Sequence, residues 1–162
     1  MLTKYYQEIS RSLDILNKCI LRCDDYWITH RVPFFNKMIN YIVNDTHKRR
    51  YENFLNNVQT TIFSHGDFSE GNIGICNNNL VFYDFQHSAL SPKLWDIAYL
   101  LSYTDPNKRQ YTFLTPQICF LAEFVAAMRI ARYKYNGNYM NYSYYNCIYE
   151  KWIQFNKYNN FE

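Results

Sequence analysis

Apolar positions recur along this chain at two different periods. Tyr6, Ile9, Leu13, Leu16 and Ile20 fall at steps of three and four, with Arg11, Asp14, Asn17 and Lys18 off that line. The spacing predicts an amphipathic helix over 5–23. Phe34, Phe35, Met38, Ile39 and Ile42 predict a second helix beginning after Pro33, and Tyr51, Phe54, Leu55 and Val58 predict a third. The pattern then changes. "TTIF" (60–63) is short and β-branched, "IGIC" (73–76) and "LVFY" (80–83) are strand-like, and the intervening "NNN" is turn material. A hairpin is therefore expected over 73–85. Helical spacing returns at Ser91, predicted as an N-cap, with Pro92 at the first helical position and Leu94, Ile97, Ala98 and Leu101 as the buried face. Pro106 marks a loop. A helix after Pro116 turns Phe120, Leu121, Phe124, Val125 and Met128 inward, Gly137 breaks the chain, and a last helix holds Ile148, Trp152 and Phe155. There is no internal repeat and no domain boundary. The expected class is α+β, mostly helical, in one domain: a helical lead-in (1–60), a hairpin-bearing segment (62–101) and C-terminal helices (102–162).

Composition narrows the setting. A chain of 162 residues can bury one core. No apolar run approaches the ~18 residues that span a bilayer. No basic-then-apolar leader opens the chain, since Lys4 is followed by Tyr5, Tyr6, Gln7 and Glu8. A soluble, cytoplasmic protein with no membrane partner is expected. The net charge of +3 is too mild for a dedicated nucleic-acid binder, so no nucleic-acid partner is expected. Lys48-Arg49-Arg50 reads as a solvated helix face. The cysteines are Cys19, Cys23, Cys76, Cys119 and Cys147, an odd number without C-x-x-C. They argue against a disulfide framework and fit a reducing compartment. Cys19 and Cys23 have no second pair or histidine cluster to complete a metal site. The Tyr/Asn-rich stretch 133–146 reads as compositional bias.

The chemistry concentrates in 62–85, where three of the four glycines (Gly66, Gly71, Gly74) accompany His65, Asp67, Asn72 and Asp84. If Asn77, Asn78 and Asn79 form the loop, Cys76 faces Leu80, and pairing continued outward sets Asn72 opposite Asp84. Directly paired strand residues lie about 4.5–5.5 Å apart, which suits two oxygen ligands on one Mg²⁺. "HGDFSEGN" (65–72) has the spacing of the protein-kinase catalytic loop H-R-D-x-x-x-x-N, with Gly for Arg, and Asp84-Phe85-Gln86 stands in the place of D-F-G. Phosphoryl transfer calls for these residue types. One carboxylate takes the proton of the attacking hydroxyl, and a second carboxylate and an amide hold Mg²⁺ through oxygens. The run from Asp84 to Asp96 leaves little room for an activation loop, so a small-molecule acceptor is expected.

"HGDFSEGNIGI" (65–75) followed by "LVFYDFQHSALSPKLWDIAYLL" (80–101) resembles the aminoglycoside phosphotransferase / choline kinase superfamily. The matching positions are His65, Gly66, Asp67, Asn72, Asp84, Phe85, Asp96, Ile97 and Ala98, with Pro92 where members often carry proline. The resemblance covers 63–101. It implies a protein-kinase-like C-lobe with a short catalytic-loop β-hairpin packed on helices. It implies Asp67 as catalytic base, Asn72 and Asp84 as Mg²⁺ ligands, and His65, Gly66 and Asp96 as structural supports of the loop. Glu70 and Gln86 are candidate substrate contacts, Gln86 replacing a frequent acid. ATP is the implied co-substrate and a small-molecule hydroxyl the acceptor. No glycine precedes Gly66 and no V-A-I-K-like run is present, so the N-lobe is expected to be absent. A truncated or split kinase follows, completed by a separate N-lobe polypeptide or a homodimer, with apolar surface exposed where an N-lobe would dock. The alternative on the same fold is a catalytically impaired binding or interaction module.

Substrate choice is constrained by charge. After Asp96 the acids are Asp105, Glu123, Glu150 and Glu162, outnumbered by Lys108, Arg109, Arg129, Arg132, Lys134, Lys151 and Lys157. That balance argues against a polycationic aminoglycoside. Tyr139, Tyr142, Tyr144, Tyr145 and Trp152 offer either an aromatic cage for a quaternary ammonium or simply core.

Overall fold

Residues 26–42, 44–108 and 113–161 are described in the computed structural model. The predicted helix over 5–23, with Cys19 and Cys23, lies outside them. The fold is α+β and mostly helical, as expected. Among the described residues no helix is long and apolar enough to cross a membrane.

A π-helical turn (Trp27–Arg31) runs directly into α1 (Val32–Ile39), whose Pro33 sits in the first turn. Proline removes one backbone donor there, where the chain passes from π- to α-helical winding. Phe35, Met38 and Ile39 are buried while Phe34 stays at the surface. Helix α2 (Asp45–Asn56) starts well before its apolar positions, because the Asn44 side chain accepts from the N–H of Thr46 (2.9 Å) and His47 (3.2 Å). Two long helices close the chain: α4 (Pro116–Tyr135) and α5 (Tyr139–Tyr158), separated by a turn in which Gly137 has φ +68°. Between α2 and α4 lies a shorter helix, α3 (Trp95–Leu101). Thr115 caps α4 by accepting from Ile118 N–H at 3.3 Å. Helix α4 is apolar nearly all round, as a central helix must be, and packs against α1, α3 and α5.

Two small antiparallel sheets flank this bundle. Strand β1 (Ile62–Ser64) pairs with β4 (Ala89–Ser91), and β2 (Ile73–Cys76) pairs with β3 (Asn79–Phe82). The first pairing corrects the expectation at Ser91. That residue is not a helix cap; it lies opposite Ile62, fully buried, with its hydroxyl on Ser64 Oγ. Helix α3 begins only at Trp95, after Leu94 turns into the left-handed region at φ +71°. The shift rotates the buried face: Trp95, Ala98 and Leu101 point inward, while Ile97 is exposed.

The hairpin register is a second correction. Asn77 and Asn78 alone form the turn, both at positive φ (48° and 64°), and Asn79 belongs to β3. A two-residue turn of this hand matches strand twist and favours asparagine. Cys76 therefore pairs with Asn79, and Ile73 with Phe82. Carried outward, Asn72 meets Tyr83, whose N–H donates to Asn72 O at 2.9 Å. Asp84 lies one residue beyond the position that the longer loop predicts.

Arg50 is the third correction. Arg49 is exposed, but Arg50 reaches inward to Glu123, which is 1% exposed. Glu123 accepts from Tyr51 Oη (2.6 Å), Arg50 Nη1 (3.2 Å) and Asn156 Nδ2 (2.6 Å). His47 Nδ1 lies 3.5 Å away, too poorly directed for a hydrogen bond. This network ties α2, α4 and α5 together beneath the apolar core.

Candidate functional site

The loop after β1 carries the predicted residues, and three separate elements hold it. From α3, the Asp96 carboxylate accepts from the backbone N–H of His65 (2.7 Å) and of Gly66 (3.0 Å). From the end of the hairpin, the Tyr83 carbonyl meets His65 Nε2 at 2.6 Å. A carbonyl can only accept, so Nε2 carries the proton, and Nδ1 is left to accept from Asp67 N–H at 3.4 Å. From the segment before β4, His87 closes over Gly66. A Cβ at Gly66 would lie 2.0 Å from the His87 carbonyl oxygen, and Gly66 has φ +82°. Glycine is required there on both counts. Gly74 is slim for its own neighbour, since a Cβ would meet the Tyr83 ring at 2.8 Å. Gly71 has no such constraint.

Asp67 is half-buried at the head of this loop. Asn72, at the end of a 3₁₀ turn (Glu70–Asn72), reaches back through Nδ2 to Asp67 O at 2.8 Å and Asp67 Oδ2 at 3.3 Å. With the amide nitrogen so used, the Asn72 carbonyl oxygen is the atom left for a ligand. Asp84 follows β3 in the left-handed conformation (φ 58°), which aspartate tolerates. It is exposed, and one oxygen accepts from Gln86 Nε2 at 3.1 Å. Gln86, expected as a substrate contact, thus lies against Asp84. Glu70 is exposed beside Gly71. Phe85 packs its ring on His65, centroids 4.5 Å apart.

The donor chemistry suits Mg²⁺. An amide oxygen and a carboxylate are hard ligands, and Mg²⁺ commonly takes only one or two protein oxygens, completing its shell with phosphate and water. Among the described residues no group of three His, Cys, Asp or Glu gathers as a metal site.

Compared with family models, with curated proteins and with solved structures, the chain finds no match.

One site residue escaped the sequence reading. Tyr99 stands one turn after Asp96 on α3, and its phenol faces Asp67 and Tyr103. Burial first, then these two neighbours, hold its pKa far above the ordinary value of 10.0. Tyr99 therefore stays a neutral donor. The i, i+3 step from Asp96 is the signal that could have found it.

The aromatic tail does not form a cage. Trp152 is fully buried, with Nε1 donating to Thr104 O at 3.1 Å, while Tyr139 and Tyr144 are exposed. Tyr145 stacks on Tyr133, centroids 5.3 Å apart, near the guanidinium of Arg129. The hairpin and its surroundings expose apolar side chains, with Ile75 at 76% and Leu80 at 65%, besides Phe63, Phe82 and Phe85.

Proposed function

We propose that this chain is the C-lobe of a small-molecule kinase of the kind its loop resembles, the aminoglycoside phosphotransferase / choline kinase superfamily. It would transfer the γ-phosphoryl group of ATP to a hydroxyl. The observation that carries this reading is the double hydrogen bond from the His65 and Gly66 amides to Asp96. A carboxylate from a helix some thirty residues on is spent holding backbone, and the residue so presented is Asp67. A structural loop has no need of such rigidity around a half-buried aspartate; a base that must meet a hydroxyl within hydrogen-bond reach does.

The roles then follow from position. Asp67 accepts the hydroxyl proton. Asn72 fixes the Asp67 carboxylate with its amide nitrogen, and its oxygen together with Asp84 would hold Mg²⁺. When bound, Mg²⁺-ATP supplies the phosphoryl group and the neutralising charge. His65 links the loop to the hairpin exit through Tyr83, so the two halves of the site move together. The exposed apolar hairpin is where a second lobe, from another polypeptide or a second copy, would cover the nucleotide.

The test is equilibrium nucleotide binding with and without Mg²⁺. The Mg²⁺-dependent part should vanish in Asp84→Ala. No detectable binding at millimolar ATP, by the chain alone and with an N-lobe polypeptide supplied, would sink the reading.

A further inference from the structure

Tyr99 also lines a cavity of about 410 Å³, within the range of small-molecule sites. Three arginines converge on it from distant parts of the chain: Arg31 from the end of the π-helical turn, and Arg129 and Arg132 from α4. Among the described residues, no aspartate or glutamate lines it. Arg129 is held rigidly. Nη1 donates to Ser102 O at 2.9 Å and Nη2 to Ser102 Oγ at 2.8 Å. Its guanidinium carbon lies 3.5 Å from the centre of the Tyr103 ring, with the Tyr145 and Tyr99 rings at 5.4 and 5.6 Å. These contacts use only part of the guanidinium's fork of donors. Among the described residues, none of the three arginines is in an ion pair.

Such an arrangement is unfavourable as it stands. A half-buried cation without a carboxylate loses hydration that rings and neutral acceptors replace only in part. Cations gathered on one concave wall also repel, and the low-dielectric wall strengthens the field. An anion in the cavity relieves both. A cationic substrate would worsen both, and the aromatic faces that could have greeted it already surround Arg129.

We propose that this cavity is the acceptor site and that it takes a small hydroxylated anion, a compound bearing a carboxylate or phosphate together with a hydroxyl. The anionic group is held by Arg31, Arg129 and Arg132, and the hydroxyl reaches Asp67 past Tyr99. This rests on the phosphotransferase reading. The transfer balances: the acceptor oxygen bonds to the γ-phosphorus, its proton passes to Asp67, and ADP leaves with the electron pair of the broken P–O bond.

The test compares glycerol 3-phosphate, glycerate, glycerol and choline as probes of the full chain by titration calorimetry, with Mg²⁺-nucleotide binding measured in parallel. At least one of the two anions should bind about tenfold or more tightly than glycerol and choline, and whichever leads identifies phosphate or carboxylate as the group recognised. Arg132→Glu, at an exposed position, and Arg31→Glu should each remove about tenfold of that affinity while leaving nucleotide binding unchanged. Choline or glycerol binding as well as the anions, no saturable binding of either anion, or indifference to both arginine variants would each overturn the proposal. Anion binding that depends on the arginines, without any Mg²⁺-dependent nucleotide binding by the chain alone or with an N-lobe polypeptide supplied, would keep the anion site and reject the kinase. Nucleotide binding lost in Asp84→Ala, with no preference for anions, would do the reverse.

Discussion

Asp96→Ala removes the one side chain that accepts from two consecutive amides of the loop. His65 and Gly66 are both buried, so water replaces that carboxylate poorly. Hydrogen bonds to a charged group contribute about 1.5–3 kcal/mol each, and a buried donor left unpaired carries its full desolvation cost. Two of them together put the loss at about 3–6 kcal/mol. Against a typical domain stability of about 5–15 kcal/mol, such a variant can approach global unfolding. Asp96→Asn separates the local from the global effect. Its amide oxygen keeps one acceptor without the charge, and the expected cost is about 1–2 kcal/mol. The assay is urea unfolding followed by far-UV circular dichroism, paired with hydrogen exchange at the His65 and Gly66 amides. Both variants should lose stability in that order, and exchange at these amides should accelerate more than at amides within α4. A loss below about 1 kcal/mol for Asp96→Ala, with unchanged protection of the two amides, would refute the idea that Asp96 braces the loop.

Two further outcomes are expected. Burial alone would raise the Glu123 pKa, but the nearby His47 imidazole, hydrogen bonds from Tyr51 and Asn156 and the charge of Arg50 outweigh it and hold it below the ordinary 4.5. The folded pKa is depressed, so this stabilisation is complete above pH 4.5 and is lost as pH falls through the folded value. Denaturant unfolding against pH should fall more steeply on the acid side for the native chain than for Glu123→Gln; parallel curves would contradict it. Gly66→Ala should cost about 1–3 kcal/mol from backbone strain alone, before the clash with the His87 carbonyl is added. A thermal melt with an unshifted midpoint would show that the loop relaxes around the methyl group.

The glycines of the loop take on a different meaning once the fold is known. Glycine in a phosphate- or metal-binding loop lets backbone pass close to the ligand. Gly66 and Gly74 are slim for the protein's own His87 and Tyr83. The hairpin carries the same lesson. A run of three asparagines permits a turn of two or three residues, and the choice moves every partner by one. Asn72 and Asp84 are consequently not cross-strand neighbours, and what Asn72 touches is Asp67.

Short-range spacing encodes one part of this fold. The period-3.6 runs foretell α1, α4 and α5, the β-branched runs foretell β1, β2 and β3, and the loop residues stand at spacings that one chemistry explains. These are local properties, decided by a few consecutive side chains. The remainder depends on partners far apart in the chain. Strand β4 exists because β1 lies beside it, which takes Ser91 out of a helix and into a buried hydroxyl pair. Arg50 turns inward because a buried carboxylate on another helix needs its charge. Arg31 joins Arg129 and Arg132 because α1 packs on α4. Burial and pairing across such separations leave no period in the chain, since the free energy that selects them arises only when the elements meet.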